Sequence, residues 1–139
     1  NNPLYAFYPE LVASKGFPGV TDLNGAASVP VATWDDAFRQ LVSSNKYATI
    51  VRVCYDCLES HRLIFYKRIL TVDGDWSISQ NMLYRWLSNR NTLNVHFKLY
   101  GSEVDYLTDN NAWGYCNYDD NAVGSFRDCG PTAAVGSQW

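Results

Sequence analysis

The chain has 139 residues, a formal net charge of −3, and an aromatic content of 15% against only 18% charged residues. This composition excludes an intrinsically disordered chain, which carries few aromatic residues, and the length predicts one domain around a single core. The acidic balance argues against a nucleic-acid partner, because neutralising phosphates requires an excess of basic residues. No apolar run is long enough to predict a transmembrane segment.

Residues 1–32 are predicted to form an extended apolar arm, because four of the five prolines fall there without a regular apolar period. The arm is too apolar for a solvated linker, so we expect it to lie on protein. The arm is expected to dock either on its own domain or, in the manner of strand addition, on a neighbouring subunit. Residues 33–139 are predicted to form one globular domain stapled by disulfides.

Three helices are predicted from capping patterns, in which Ser or Thr is followed three residues later by Asp or Gln. The first helix begins at Thr33 and ends near Ser43. The second is capped by Ser77 and carries its apolar stripe as far as Leu87. A short third helix covers residues 102–108.

Runs of β-branched and aromatic residues predict three strands, over residues 47–53, 63–70 and 93–100, and residues 113–116 are predicted to form at most a short fourth strand. Alternation in the third strand places Val95 inward and Tyr100 outward. The first two strands are linked too closely for a parallel crossover, so we predict an α+β fold with two main helices on an antiparallel sheet. A β-sandwich with helical insertions is the alternative.

The four cysteines, Cys54, Cys57, Cys116 and Cys129, are predicted to form two disulfides whose pairing the sequence leaves open. A four-cysteine zinc site usually draws on two close pairs, and only Cys54 and Cys57 have that spacing. A catalytic redox pair fits poorly, because a second β-like run follows the CxxC motif closely. Oxidised thiols are stable outside the cell, so the expected location is extracellular.

Aromatic residues in the arm and near the end of the chain are the candidate contacts for a partner or ligand. Tyrosine and tryptophan combine an apolar ring with a polar tip, which suits both protein interfaces and stacking on sugar rings. The alternative is that several of them complete the core. The candidate residues are Tyr5, Phe7, Tyr8, Tyr100, Trp113, Tyr115, Tyr118 and Arg127.

No cofactor is the first expectation, because Asp and Asn in these loops favour ordinary turns; calcium is the alternative, with Asp109, Asp119 and Asp120 as its candidate ligands. The ion takes about six to eight oxygen ligands, and loops rich in Asp and Asn supply them. The spacing does not match an EF-hand, and the same residues also favour ordinary turns.

His61, which follows Ser60, is a candidate general base, although its sequence surroundings identify no catalytic motif. A structural histidine is the alternative. From these features we expect a non-enzymatic extracellular module for adhesion or self-assembly, with subunits of the same or a related kind as partners. A carbohydrate-binding, lectin-like module that recognises extracellular glycans is the second hypothesis, and a small secreted hydrolase using His61 is the third.

Overall fold

The computed structural model describes residues 31–43, 49–72, 74–120 and 123–138. Most of the predicted arm lies outside these residues, and so do its candidate contacts Tyr5, Phe7 and Tyr8. The elements in chain order are helix α1 (Val31–Ser43), strand β1 (Thr49–Val53), a 3-10 helix (Glu59–His61), strand β2 (Leu63–Arg68), helix α2 (Ile78–Leu83), strand β3 (Phe97–Tyr100) and helix α3 (Glu103–Thr108).

The three strands form an antiparallel sheet in the order β1-β2-β3, which confirms the predicted α+β class. The register aligns Val51 of β1 with Phe65 of β2, and Phe65 with Tyr100 of β3. Because side chains alternate along a strand, these three residues share one face of the sheet and Ile64 and Tyr66 lie on the other.

The main core packs against the face that carries Ile64 and Tyr66. The ring of Tyr66 stacks on Phe97, with 4.7 Å between ring centroids, and Trp86 meets Phe97 edge-on at 5.4 Å. Phe126 joins Trp86 in a second edge-on contact at 5.4 Å. Such aromatic pairs stabilise a core by about 0.5–1.5 kcal/mol each beyond their burial of area.

The second face of the sheet is covered by α3, and the prediction that Tyr100 points outward to solvent is therefore wrong. Tyr106 of α3 stacks on Phe65 at 5.3 Å and meets Tyr100 edge-on at 5.9 Å. Tyr100 is fully buried as a result. The short helix itself is confirmed, and the Ser102 hydroxyl caps it by accepting a hydrogen bond from the Asp105 amide at 3.2 Å.

Helix α1 begins at Val31, two residues before the predicted start at Thr33, so Thr33 lies within the helix and does not begin it. Inside α1, the Asp35 carboxylate accepts hydrogen bonds from the Ser77 hydroxyl at 2.7 Å and from the Ser79 amide at 2.9 Å. These bonds join α1 to the beginning of α2. A carboxylate suits that position, because the first amides of a helix have no partner within the helix.

Helix α2 is capped by Ser77 as predicted, but it ends at Leu83 and not near Leu87. The amides of Tyr84 and Arg85 still donate to the Gln80 carbonyl, but the next two amides do not continue the helical bonding pattern. Trp86 donates to the Val123 carbonyl at 2.7 Å, and Leu87 donates to the Asn81 side-chain oxygen at 3.1 Å. These bonds satisfy the amides and allow the chain to leave the helix while Trp86 stays in the core.

Strand β3 begins at Phe97, four residues later than predicted, because residues 94–96 form a turn. Asn94 adopts a left-handed conformation with φ of 63°, and the amides of Val95 and His96 both donate to the Thr92 carbonyl. Val95 is exposed, and not inward as predicted. The His96 carbonyl also accepts from Leu70, which lies beyond the end of β2 at Arg68.

Two disulfides are formed, as the cysteine count predicts, and their pairing is Cys54–Cys57 and Cys116–Cys129. Cys129 is fully buried in the main core, and Cys116 packs against that core. A loop of about 15 residues closed by a disulfide gains about 3 kcal/mol in the chain-entropy account. The Cys116–Cys129 link, with a sequence separation of 13, therefore holds a long segment against the core.

Replacing Phe97 by Ala should lower the free energy of unfolding by about 3–5 kcal/mol, because it removes a buried ring that packs on Tyr66 and Trp86. Denaturant unfolding measures the change. The matched control is Tyr84→Ala, since Tyr84 is an exposed aromatic residue directly after α2 and should shift stability by about 0.5 kcal/mol or less. Equal losses in the two variants would contradict this core.

Candidate functional site

Strand β1 is a terminal strand of the described sheet. The Cys54 amide donates to the Arg62 carbonyl at 2.9 Å, directly after β1, which fixes the side toward which each backbone group points. Because these groups alternate along a strand, those of Ile50 and Arg52 point toward β2, and those of Val51 and Val53 point away from it. Within residues 31–43, 49–72, 74–120 and 123–138, no backbone partner bonds to the outward groups of Val51 and Val53.

The side chains of β1 do not protect this edge. Monomeric proteins commonly protect sheet edges with lysine, proline or a bulge, and the sequence TIVRV contains only Arg52 as a charged residue. The Arg52 guanidinium turns inward and donates to the backbone carbonyls of His61 at 3.0 Å and Gln138 at 2.7 Å. Burial lowers the pKa of Arg52 to about 10, which still leaves it charged at neutral pH.

An apolar surface lies on the α3 side of the same sheet. Val51, Val53 and Leu63 are half-buried there. On the adjoining helix α3, Val104 and Leu107 are 69% and 67% exposed and lie one helical turn apart. Among the described residues, the β1 edge therefore has outward backbone groups without a backbone partner and the apolar side chains of Val51 and Val53, which are the two requirements for binding an extended segment.

A second candidate site consists of Ser60 and His61. Ser60 is exposed, and its Oγ lies 2.8 Å from Nδ1 of the buried His61. The other ring nitrogen, Nε2, lies 2.8 Å from the carbonyl oxygen of Cys129. Since a carbonyl only accepts hydrogen bonds, Nε2 carries the proton, and Nδ1 is left to accept from the Ser60 hydroxyl.

The surroundings hold His61 in this neutral form. Burial lowers the pKa of His61, and the charge of Arg52 lowers it further, while the bond to the Cys129 carbonyl acts in the opposite direction. The ring also packs on Trp113 with 4.8 Å between centroids. A serine beside a fixed, unprotonated imidazole nitrogen is the arrangement that general-base activation of a nucleophile requires.

The predicted aromatic contacts that the structure describes do not form one surface. Tyr100 and Trp113 are buried, so they are not available on the surface of this fold. Tyr118 is half-buried, stacks on Trp86 at 5.7 Å, and accepts a hydrogen bond from the Leu93 amide at 2.7 Å. Tyr115 remains partly exposed at 38%.

Arg127, the remaining candidate contact, pairs with two carboxylates. Its Nε lies 3.2 Å from Asp120 and 3.6 Å from Asp128. These ion pairs give Arg127 a structural role in the segment between the two cysteines of the long disulfide loop.

The three predicted calcium ligands lie in different local networks. Asp109 accepts from Lys98 and from the Tyr100 hydroxyl, and Asp119 accepts from the amide and hydroxyl of Ser88. Asp120 pairs with Arg127. Across the described part of the chain, no three metal-ligating side chains come together.

No protein-family model matches this chain, and neither a curated protein nor a solved structure is detectably similar to it. Among the helices that the structure describes, none is long and apolar enough to cross a membrane. Sequence reasoning named His61 but did not pair it with Ser60, although the two are neighbours in the chain. It also predicted β1 without identifying it as an edge, because strand order is not visible in a local pattern.

Folding stability should fall as the pH drops below about 6.5, the ordinary pKa of an unfolded histidine. The folded state keeps His61 neutral, so the unfolded state binds more protons, and the stabilisation present above that pH is lost toward the lowered folded pKa. Denaturant unfolding at about pH 7.5 and about pH 5 measures the decline.

The variant His61→Gln should remove most of this decline, because its amide still donates to the Cys129 carbonyl but does not titrate. His96→Gln is the comparison variant. Burial also lowers the pKa of His96, but because this side chain is only half-buried, the variant should remove less of the decline than His61→Gln does. If His61→Gln keeps the pH dependence of the wild type, another group is responsible.

Proposed function

We propose that this protein is an extracellular self-assembly module, in which the β1 edge accepts an extended strand from the arm of a second copy. The observation that carries the proposal is the outward backbone edge at Val51 and Val53, which has no partner among the described residues. Two disulfides support an oxidising, extracellular environment, where such bonds persist.

The arm sequence offers a segment of matching length. Residues 4–8, with the sequence LYAFY, are five residues bounded by Pro3 and Pro9, and β1 also has five residues. Proline has no backbone N–H, so it limits a paired strand at each end. In strand addition the main chain provides affinity, and alternate side chains provide specificity.

The apolar surroundings of the edge suit this occupant. An added strand places alternate side chains beside Val51 and Val53, on the side of the sheet that also presents Val104 and Leu107. Either Tyr5 and Phe7 or Leu4, Ala6 and Tyr8 would face that side, and each set is apolar enough to bury there.

The sharpest test is Val51→Pro. The Val51 amide points away from β2, so proline removes a donor from the outer edge while every β1–β2 bond stays possible. We expect a folded protein that no longer associates, as measured by analytical ultracentrifugation over a range of concentrations. Deleting residues 1–12 should have the same effect, because it removes the donor strand.

Val51→Ala is the matched control, because it shortens the same side chain but keeps the amide, and it should still associate. A synthetic peptide of residues 1–12 should bind the truncated protein and should not bind its Val51→Pro form. Association unaffected by Val51→Pro, or a wild-type protein that is monomeric at every concentration, would overturn the proposal. A wild-type protein that is always monomeric would favour the alternative, in which the arm lies on its own domain.

The Ser60–His61 pair favours a second candidate function, a small secreted hydrolase that acts by acyl transfer. The Ser60 hydroxyl would give its proton to Nδ1 of His61 as Oγ attacks an ester carbonyl, and the Cys129 carbonyl would orient the ring. The imidazolium would then return the proton to the departing alcohol as the ester C–O bond breaks, and water would hydrolyse the acyl-serine to release the acid. No described contact favours the lectin-like alternative in the same way, since Tyr100 and Trp113 are buried.

A fluorophosphonate probe tests this second function, because it labels activated serines by forming an Oγ–P bond and releasing fluoride. General-base assistance accelerates such steps by about 10²–10⁴-fold, so Ser60 should be labelled about 100-fold faster than Ser137. Ser137 is an exposed serine of the same chain and serves as an internal control, read by peptide mass spectrometry. Equal labelling of the two serines would exclude the hydrolase.

A further inference from the structure

The loop closed by Cys54 and Cys57 is held against the segment that contains Gln138. The Gln138 side-chain oxygen accepts a hydrogen bond from the Leu58 amide at 2.6 Å. Its backbone oxygen accepts from the Arg52 guanidinium at 2.7 Å and lies 3.6 Å from the Cys57 sulfur. Two hydrogen bonds, from residues on either side of the CxxC loop, therefore hold one residue late in the chain against the sulfur of Cys57.

The two disulfides differ in surroundings and in the constraint that they impose. Cys116 is half-buried against the main core and its partner Cys129 is fully buried in it, whereas Cys54 and Cys57 are both half-buried and are flanked by exposed Tyr55, Asp56 and Leu58. A sequence separation of 3 closes a much smaller loop than a separation of 13. The small loop restricts the unfolded chain less, and its bond is easier for an attacking thiolate to reach.

We propose that the Cys54–Cys57 disulfide is a redox-responsive site, which a dithiol reduces selectively, and that its reduction releases Gln138 from the loop. A thiolate of the reductant attacks one cysteine sulfur and forms a mixed disulfide, and its second thiol then displaces the cysteine. The reductant loses two electrons and becomes a cyclic disulfide. Cys54 and Cys57 take up two electrons and two protons as free thiols.

Release follows from the geometry of the contacts. The disulfide holds residues 54–57 in a closed ring directly before Leu58, whose amide binds the Gln138 side chain. Once the ring opens, only the hydrogen bond from the Cys57 amide to the Cys54 carbonyl, at 3.2 Å, still closes this turn, so the backbone before Leu58 moves more and the bond to Gln138 opens more often. The Cys54 amide remains bonded to the Arg62 carbonyl, which keeps β1 and β2 paired during the change.

Differential alkylation tests the selectivity. The folded protein is treated with increasing dithiothreitol, free thiols are blocked with iodoacetamide, and peptide mass spectrometry quantifies each cysteine. Cys54 and Cys57 should be reduced and alkylated together, about tenfold faster than Cys116 and Cys129. Simultaneous reduction of both disulfides, or earlier reduction of Cys116–Cys129, would overturn the proposal.

Hydrogen exchange tests the release. The Leu58 amide should exchange about tenfold faster after selective reduction, because the bond that protects it opens more often. A Cys54→Ser/Cys57→Ser double variant should show the same fast exchange without reductant, while the Trp86 amide, bonded to the Val123 carbonyl, stays protected as a control for global folding. Unchanged exchange at Leu58 in both samples would refute the release.

Discussion

The packing of Tyr66 at the centre of the sheet is the interaction on which the rest of the fold depends. Its ring contacts Phe97 of β3, lies 6.4 Å from Phe38 of α1, and lies 6.5 Å from Phe126. The buried hydroxyl donates to the Asn91 side chain at 2.9 Å, and burial raises its pKa. One side chain thus connects the sheet, the first helix and two loops, and its polar end is satisfied inside the core.

The sequence predicted the local features well wherever a short pattern has one physical meaning. The capping hydroxyls of Ser77 and Ser102 are bonded as expected, and the β-branched run in β1 is a strand. The predicted ends of α2 and β3 were wrong where other local hydrogen bonds replaced the regular helix or strand bonds. Leu87 lies outside α2 because its amide bonds the Asn81 side chain. Asn94 lies outside β3 because it adopts a left-handed conformation in a turn.

The placement of aromatic residues could not be predicted, because alternation identifies two faces of a strand but not what covers each. Alternation predicts that Tyr100 faces solvent, whereas α3 covers that face of the sheet with Tyr106. Trp113 had no regular pattern around it, yet it is buried against His61. Much of the high aromatic content therefore builds the interior, and the β1 edge that supports the proposed function presents the aliphatic residues Val51 and Val53.

Arg52 has a structural consequence that extends beyond its own strand. Its two terminal nitrogens reach separate backbone carbonyls, one on His61 and one on Gln138, from a position inside β1. A planar, forked guanidinium can serve two acceptors at fixed angles, whereas the single ammonium of lysine cannot reproduce that geometry. Lysine at position 52 would thus preserve the net charge of the chain while disconnecting regions that are distant in sequence.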